Sequence, residues 1–166
     1  MGKLIVTARD LYREGSLKNA LREIGLEPKS TGFRSVVEVE SDRDIFEVAH
    51  EVARKYPYDI GRVVAVFEEV ESEEGIIKER AVFHALEQIK ENESFCFRVH
   101  KRGKHKIEKP TPELEYDVGG TIYEELEKKY NKKPAVNLKS PDIAIVAEVL
   151  GPKTLLGIYR KSWSAE

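Results

Sequence analysis

The first 70 residues alternate between short β-rich segments and segments whose apolar residues recur with helical spacing. The predicted order is β-α-β-α-β, with strands over Lys3–Ala8, residues 35–39 and residues 62–67 and with helices between them. The third strand is apolar throughout, which is typical of a strand in the middle of a sheet. The alternation predicts a small ferredoxin-like α/β layer. The N-terminal unit itself is placed over residues 1–59, and the third strand begins just after this boundary.

Local signals set the expected boundaries of these elements. Pro28–Gly32 is expected to form a loop, because proline and glycine interrupt regular structure. Ser41 or Asp42 is expected to cap the second helix, since short polar side chains accept hydrogen bonds from the first helical amides. That helix is expected to end near Tyr56-Pro57, because the residue before a proline disfavours helical geometry.

The second half of the chain predicts a further α/β unit. A helix ending near Lys90 leads to a strand over Phe95–Lys101, in which residues of opposite faces alternate with a period of two. Thr111-Pro112 is a cap followed by proline, which favours a helix start, and that helix should continue to Tyr130. Strands over Ile143–Leu150 and Leu155–Tyr159 complete the pattern. The chain is thus predicted to be α/β (α+β), with a second unit over residues 60–162 and a tail over residues 163–166.

Charge is dense but nearly balanced. Charged residues make up 35% of the chain and the formal net charge is −2, which argues against a protein that coats nucleic acid by bulk electrostatics. Residues 91–166, however, hold 14 Lys/Arg and 12 Asp/Glu, whereas residues 1–90 hold 14 and 18. A polyanion is therefore expected to meet a local patch in the second half.

Eight basic residues lie within twelve positions of that half. They are Arg98, His100, Lys101, Arg102, Lys104, His105, Lys106 and Lys109. Strand alternation places Arg98, His100 and Arg102 on one face, and the following turn should bring Lys104 and Lys106 forward on a mobile backbone. Guanidinium and ammonium groups so placed predict a phosphate-binding surface. The residues alone leave open the alternative of a solvated basic hairpin.

Gly119 and Gly120 lie in the middle of a predicted helix. Each costs about 1 kcal/mol of helix stability relative to alanine. Such a pair is expected either to permit close packing or to leave backbone open to a partner.

Motifs for chemistry are missing from the sequence. It contains no glycine-rich phosphate loop, no Ser-Gly-Gly pyrophosphatase loop, no Asn-Pro-Pro-Tyr methyltransferase motif and no zinc-deaminase ligand set. We therefore expect no catalytic residue, no metal ligand and no cofactor. Cys96 is the only cysteine, so an internal disulfide and a cysteine-based zinc site are excluded and a reducing cytoplasm is expected. No apolar run is long enough to span a membrane.

Three segments resemble the THUMP domains of tRNA-modifying proteins. Residues 95–102, with the sequence Phe-Cys-Phe-Arg-Val-His-Lys-Arg, resemble the opening strand motif of that family. Val118-Gly119-Gly120 resembles the following helix, and Val136–Asp142 resembles the turn before an apolar strand. The resemblance covers about residues 60–162, and the residues before them resemble the ferredoxin-like unit that accompanies THUMP. Asn137 and Ser140 depart from the family, which usually has aspartate and asparagine at these two positions.

The resemblance implies that the chain holds the acceptor end of tRNA. The implied RNA-binding residues are those of the basic cluster from Arg98 to Lys106, the glycine pair and Lys139 in the turn. A chain of this length resembles the Tan-type adaptors, which present tRNA to a separate RNA acetyltransferase for cytidine acetylation. On this interpretation the protein is a cytoplasmic, non-catalytic accessory protein.

Two alternatives remain open from the sequence. One is a tRNA-delivery subunit for another modification, such as thiolation or methylation. The other is a small RNA-processing enzyme, in which His100 or His105 would act with a carboxylate such as Glu108 or Glu113. The histidines lie in a basic segment without an evident orienting partner, which disfavours the enzyme.

Overall fold

The computed structural model describes residues 1–10, 12–55, 57 and 59–164, which form eight strands and four α-helices in two units. This composition confirms the predicted α+β class. The first unit comprises Met1–Phe67 with Ser162–Glu166, and the second comprises Glu68–Lys161. The expected boundary between residues 59 and 60 stays a prediction.

The first unit is built on a β-α-β-β-α-β order. Its elements are β1 (Gly2–Ala8), α1 (Glu14–Glu23), β2 (Pro28–Ser30), β3 (Val36–Ser41), α2 (Ile45–Lys55) and the first part of β4 (Ile60–Glu71). The strand order is β2-β3-β1-β4, and β1 is antiparallel to both β3 and β4. Leu4 of β1 thus lies between Val39 and Ala65. This order and pairing form the expected ferredoxin-like arrangement.

Two local expectations for this unit are wrong. Pro28–Ser30 is a strand rather than a loop, since it pairs with Val37–Val39 of β3. Proline is tolerated there because β2 lies at the edge of the sheet, where one side of a strand needs no ladder bonds. The second helix begins at Ile45, and its cap is Asp44, whose Oδ1 accepts from the Phe46 amide at 2.9 Å. Ser41 instead ends β3.

The core of the first unit joins its sheet to both helices. Leu4, Ile5 and Val6 of β1 have no solvent exposure, nor do Leu17 and Leu21 of α1. Each such side chain contributes about 1.5–3 kcal/mol on burial. The apolar spacing read from the sequence therefore identifies the packing faces of this unit correctly.

The second unit has mixed strand directions. Its elements are α3 (Glu74–Gln88), β5 (Ser94–Arg102), α4 (Thr111–Tyr130), β6 (Ala135–Val136), β7 (Ile143–Leu150) and β8 (Lys153–Arg160). The strand order is β8-β7-β5-β6, in which β5 is parallel to β6 and β7, while β7 and β8 form an antiparallel hairpin. Helices α3 and α4 supply a buried stripe of Ile77, Leu114, Val118, Ile122 and Leu126.

The helix ends of this unit show where local rules succeed and fail. Glu73 caps α3, since its carboxylate accepts from the amides of Gly75 and Ile76 at 2.9 and 3.0 Å. Thr111 is the first residue of α4 rather than its cap, and Pro110 occupies the cap position without a side-chain bond. Asn131 ends α4 in the left-handed conformation with φ of 51°.

A short helical turn follows β8. Lys161–Trp163 form a single 3-10 turn, and the ring of Trp163 is buried, with its centroid 6.0 Å from that of Phe46 in the first unit. Ala165 and Glu166, the last residues of the predicted tail, lie outside the described residues, as does Tyr56 at the predicted end of α2. The extent of the tail stays a prediction.

Candidate nucleic-acid interface

Strand β5 orders the first half of the predicted basic cluster. It pairs in register with β7, so that Arg98 lies beside Val146 and His100 beside Glu148. Because alternate residues share a face of the sheet, Arg98, His100 and Arg102 point one way and Lys101 points the other. All four side chains are partly exposed, as the strand pattern predicts.

Arg98 is engaged in contacts within the protein. Its Nη2 donates to the Leu138 carbonyl, and its Nε lies 3.3 Å from the Cys96 sulfur. Burial raises the pKa of the Cys96 thiol, so this sulfur stays protonated at neutral pH. Arg98 thereby ties β5 to the turn that precedes β7, and part of its hydrogen-bonding capacity is already used.

Arg102 is paired with a buried carboxylate. Its Nη1 donates to Glu148 Oε2 at 2.7 Å, and the Glu148 side chain has no solvent exposure. The backbone carbonyl of Arg102 accepts from the Gly151 amide, which joins the end of β5 to the β7–β8 turn. A buried carboxylate requires such a donor, so Arg102 has a structural role in addition to any contact with RNA.

The basic loop, Gly103–Pro110, is hydrogen-bonded to α3 and α4 at its C-terminal end. Glu74 Oε1 accepts from the amides of Glu108 and Lys109 at 2.8 and 2.6 Å. The Lys109 carbonyl accepts from Lys101 Nζ, and Lys109 Nζ lies 2.9 Å from Asp117 Oδ2. These contacts fix the C-terminal end of the loop, whereas the expected mobility of the backbone at Lys104 and Lys106 stays a prediction.

The middle of the basic loop presents cations to solvent. Gly103 turns the chain with φ of 75°, which places Lys104 just beyond the strand end. Lys104 and Lys106 are exposed, and in the described part of the chain no hydrogen bond or ion pair engages their ammonium groups. His105 is half-buried, and its Nδ1 accepts from the Ile107 amide at 3.2 Å, so this nitrogen is used within the loop.

Lys139 lies outside the basic loop, in the turn before β7. It belongs to the turn that Arg98 holds, and its side chain is exposed. Asn137 shapes this turn, because its Oδ1 accepts from the amides of Lys139 and Ser140 at 3.1 and 3.0 Å. The asparagine that departs from the family pattern therefore still makes the turn, although it carries no charge.

The glycine pair has no packing role among the described residues. A Cβ placed on Gly119 or Gly120 would meet no atom within 4 Å outside the local helix. Close packing is thus the wrong explanation, whereas backbone left open to a partner agrees with the exposure of Gly120. The role of both glycines in binding RNA stays a prediction.

Three site residues were missed by the sequence analysis. Glu74 and Asp117 contact Lys109 of the basic loop, from 35 and 8 positions away, and Lys78 pairs with Asp117. Hydrogen bonds from Lys78 and Lys109 hold the pKa of Asp117 below its ordinary range, so it is a carboxylate at neutral pH. No local pattern marks these residues, because an acidic residue in the first turn of a helix, such as Glu74, is common without a partner and the other two contacts join different elements.

The described residues contain no group of three or more His, Cys, Asp and Glu side chains placed to hold a metal ion. Within the same residues, no helix combines the length and the apolar character needed to cross a bilayer. Neither finding bears on residues outside the described ranges.

The comparisons with known proteins identify the second unit. The profile of the family described as "THUMP domain" matches residues 71–159, which is more than half of the chain. The chain belongs to the THUMP domain family. The match begins at the end of β4 and extends almost to the end of β8, so it includes the basic loop and the glycine pair. No curated protein matches the chain.

Solved structures share the fold at low sequence identity. PH1313 from Pyrococcus horikoshii Ot3 is 22% identical with a TM-score of 0.64, over 99% of this chain and 56% of that protein. A possible methylase from Clostridium difficile 630 is 17% identical with a TM-score of 0.67, over 95% and 41%. A 4-thiouridine synthetase–RNA complex with bound ATP is 18% identical with a TM-score of 0.61, over 96% and 41%.

These relatives overturn one prediction. The chain spans about half the length or less of the structures that it resembles, and several of them are described as methylases, a putative methyltransferase or a synthetase. The prediction of a non-catalytic accessory protein is therefore wrong. It was inferred from missing motifs, and that inference does not hold. A THUMP-containing fold recurs within enzymes, so the lack of catalytic motifs in these 166 residues does not separate an accessory protein from an enzyme.

Proposed function

We propose that this chain binds tRNA on behalf of a tRNA-modifying enzyme and that the basic loop contacts the RNA backbone. The observation that carries the proposal is the pair of exposed lysines, Lys104 and Lys106, on a fastened loop of a THUMP domain. Lysine suits phosphate because it is a compact charge on a flexible stem. Lys139 and the open backbone at Gly119-Gly120 are proposed as further contacts.

The proposed ligand is the acceptor end of tRNA. The net charge of −2 makes a whole-molecule attraction to RNA weak, so recognition must come from local geometry. Single-stranded ends suit a small basic surface, since their phosphates and bases are accessible without opening a helix. A cytoplasmic location remains part of this proposal.

Cytidine acetylation is the first proposed reaction, with the chain presenting tRNA to an RNA acetyltransferase. Its support is the resemblance to the Tan-type adaptors inferred from the sequence, in which the motifs at residues 95–102 and 136–142 are those of THUMP domains in general. Thiolation or methylation is the second, and the 4-thiouridine synthetase–RNA complex and the possible methylase among the fold neighbours favour it. Holding tRNA near a catalytic centre raises its effective concentration in each case.

Equilibrium binding of tRNA over a range of salt concentrations tests the binding proposal. Lys104→Ala and Lys106→Ala should each weaken binding and reduce the slope of log K against log salt by about 0.7–0.9 per lost phosphate contact. Lys90→Ala is the matched control, because Lys90 is also exposed and lies after α3, away from the basic loop. Equal effects of all three substitutions would refute the assignment of the basic loop.

Nucleoside analysis of cellular tRNA identifies the reaction. Cells that lack the gene should lose one modified nucleoside, and the wild-type gene should restore it. Loss of acetylated cytidine supports the first reaction, whereas loss of a thiolated or methylated nucleoside supports the second. A gene with both lysines replaced by alanine should restore the modification poorly, and full restoration by it would contradict the binding role of the loop.

A further inference from the structure

Glu74 is an unusual neighbour for a phosphate-binding loop. Its Oε1 accepts hydrogen bonds from two consecutive loop amides, those of Glu108 and Lys109, at 2.8 and 2.6 Å. Hydrogen bonds to a charged acceptor contribute more to stability than hydrogen bonds between neutral groups. The position of this loop end is thus determined by a side chain at the first turn of α3.

A second anchor fixes the same loop end. Asp117 of α4 bridges Lys78 of α3 and Lys109 of the loop, with both ammonium groups 2.9 Å from its oxygens. Lys101 of β5 donates to the Lys109 carbonyl. One loop residue is therefore joined to two helices and a strand of the same unit.

These carboxylates oppose RNA binding by their charge alone. A negative charge near phosphate lowers affinity, so removing it should tighten binding if charge were the whole effect. Preorganisation acts in the opposite direction, since a loop already held in its binding conformation loses less entropy when RNA binds. The two effects have opposite signs, which makes them separable by experiment.

We infer that Glu74 is a positioning residue, which holds the basic loop in the conformation that presents Lys104 and Lys106 to RNA. The inference rests on the proposed function and names the residue on which the binding geometry depends. It predicts that losing a negative charge at this position weakens the binding of a polyanion.

The test compares three variants that all lose one carboxylate near the basic loop. Glu74→Ala removes the acceptor and the charge, whereas Glu74→Gln removes the charge and keeps an acceptor oxygen. Glu113→Ala is the matched control, because Glu113 is also in the first turn of a helix and within the described residues makes no hydrogen bond to the loop. Binding of the same tRNA is measured for each variant and for wild type at one salt concentration.

Glu74→Ala should bind tRNA about tenfold more weakly than wild type, the equivalent of about 1.4 kcal/mol. Glu74→Gln should recover most of that loss, and Glu113→Ala should bind as wild type does or slightly tighter. Glu74→Ala binding as tightly as Glu113→Ala would overturn the inference while leaving the proposed function intact. Failure of the wild-type chain to bind tRNA would overturn the proposed function itself, and the inference with it.

Hydrogen exchange in the absence of RNA gives a second measurement. Amides of Glu108 and Lys109 should exchange fastest in Glu74→Ala, which lacks the acceptor, and at an intermediate rate in Glu74→Gln, because a neutral amide oxygen is a weaker acceptor than a carboxylate. Glu113→Ala should leave both amides unchanged. Exchange of both amides in Glu74→Ala at the wild-type rate would refute the positioning role.

Discussion

Replacing Arg102 with alanine separates the structural part of the basic cluster from the part proposed to bind RNA. The substitution removes the guanidinium that donates to Glu148 at 2.7 Å and leaves that carboxylate buried without this partner. Arg102 was first predicted as an RNA contact, so a loss of RNA binding in this variant has two readings. The stability of the protein without RNA distinguishes them.

The expected magnitude follows from the burial of the pair. Removing one partner of a buried ion pair costs about 3–5 kcal/mol when the remaining charge has no other partner. Glu148 is fully buried but has a further interaction within the protein, and Arg102 is 20% exposed, so the lower end applies. We expect a loss of about 3 kcal/mol, which corresponds to a fall in Tm of roughly 6–12 °C for a chain of this size.

Thermal and denaturant unfolding of the two single variants provide the assay. Lys104→Ala is the control, since that side chain is exposed and should change the free energy of unfolding by less than about 0.5 kcal/mol. Arg102→Ala with wild-type stability would refute the structural role of the pair. In that case any loss of RNA binding in Arg102→Ala would report directly on a phosphate contact.

Three further predictions concern stability. Gly120→Ala should stabilise α4 by about 1 kcal/mol in denaturant unfolding, because the added Cβ meets no atom within 4 Å, and a destabilised variant would contradict this. Asp117→Asn should destabilise the protein at neutral pH; since the folded pKa of Asp117 is lowered, the difference from wild type should begin to shrink as pH falls below about 4 and disappear only once the pH is below that lowered pKa, and a constant difference would refute the assignment. Thr154→Val should cost about 1–3 kcal/mol, because it leaves the buried Ser72 hydroxyl without its 2.8 Å partner, and an unchanged Tm would contradict that role.

The regular elements were predictable because they depend on residues close together in the sequence. The alternation over Phe95–Lys101 gives β5 and the facing of its side chains, and the apolar positions of α4 give its buried stripe. Elements of two or three residues were not predictable in this way. β2 and β6 are strands because a neighbouring strand pairs with them, and their own sequences carry too few positions to show a period.

The basic residues of the candidate site were predictable from the sequence, but the residues that they contact were not. The sequence places Arg98 and Arg102 in a basic cluster, yet their partners lie 40 and 46 positions away, at Leu138 and Glu148. Such contacts are set by strand register, which pairs β5 with β7 across the whole of α4. Local charge patterns therefore overstate the number of cations available to RNA, because they contain no information on which are already paired.

Only cations without a partner in the protein are fully available to phosphate, and their number limits the salt dependence of tRNA binding. Of the RNA-binding residues first predicted, Lys104, Lys106 and Lys139 are exposed with ammonium groups unengaged among the described residues, whereas Arg98, Lys101 and Arg102 each have a partner. Three phosphate contacts correspond to a slope of about 2–3 in a plot of log K against log salt. The wild-type chain should show a slope in this range, and replacing all three lysines with alanine should abolish most of it. A slope twice as steep, with more than half of it kept by the triple variant, would show that tRNA is held mainly by cations outside this surface.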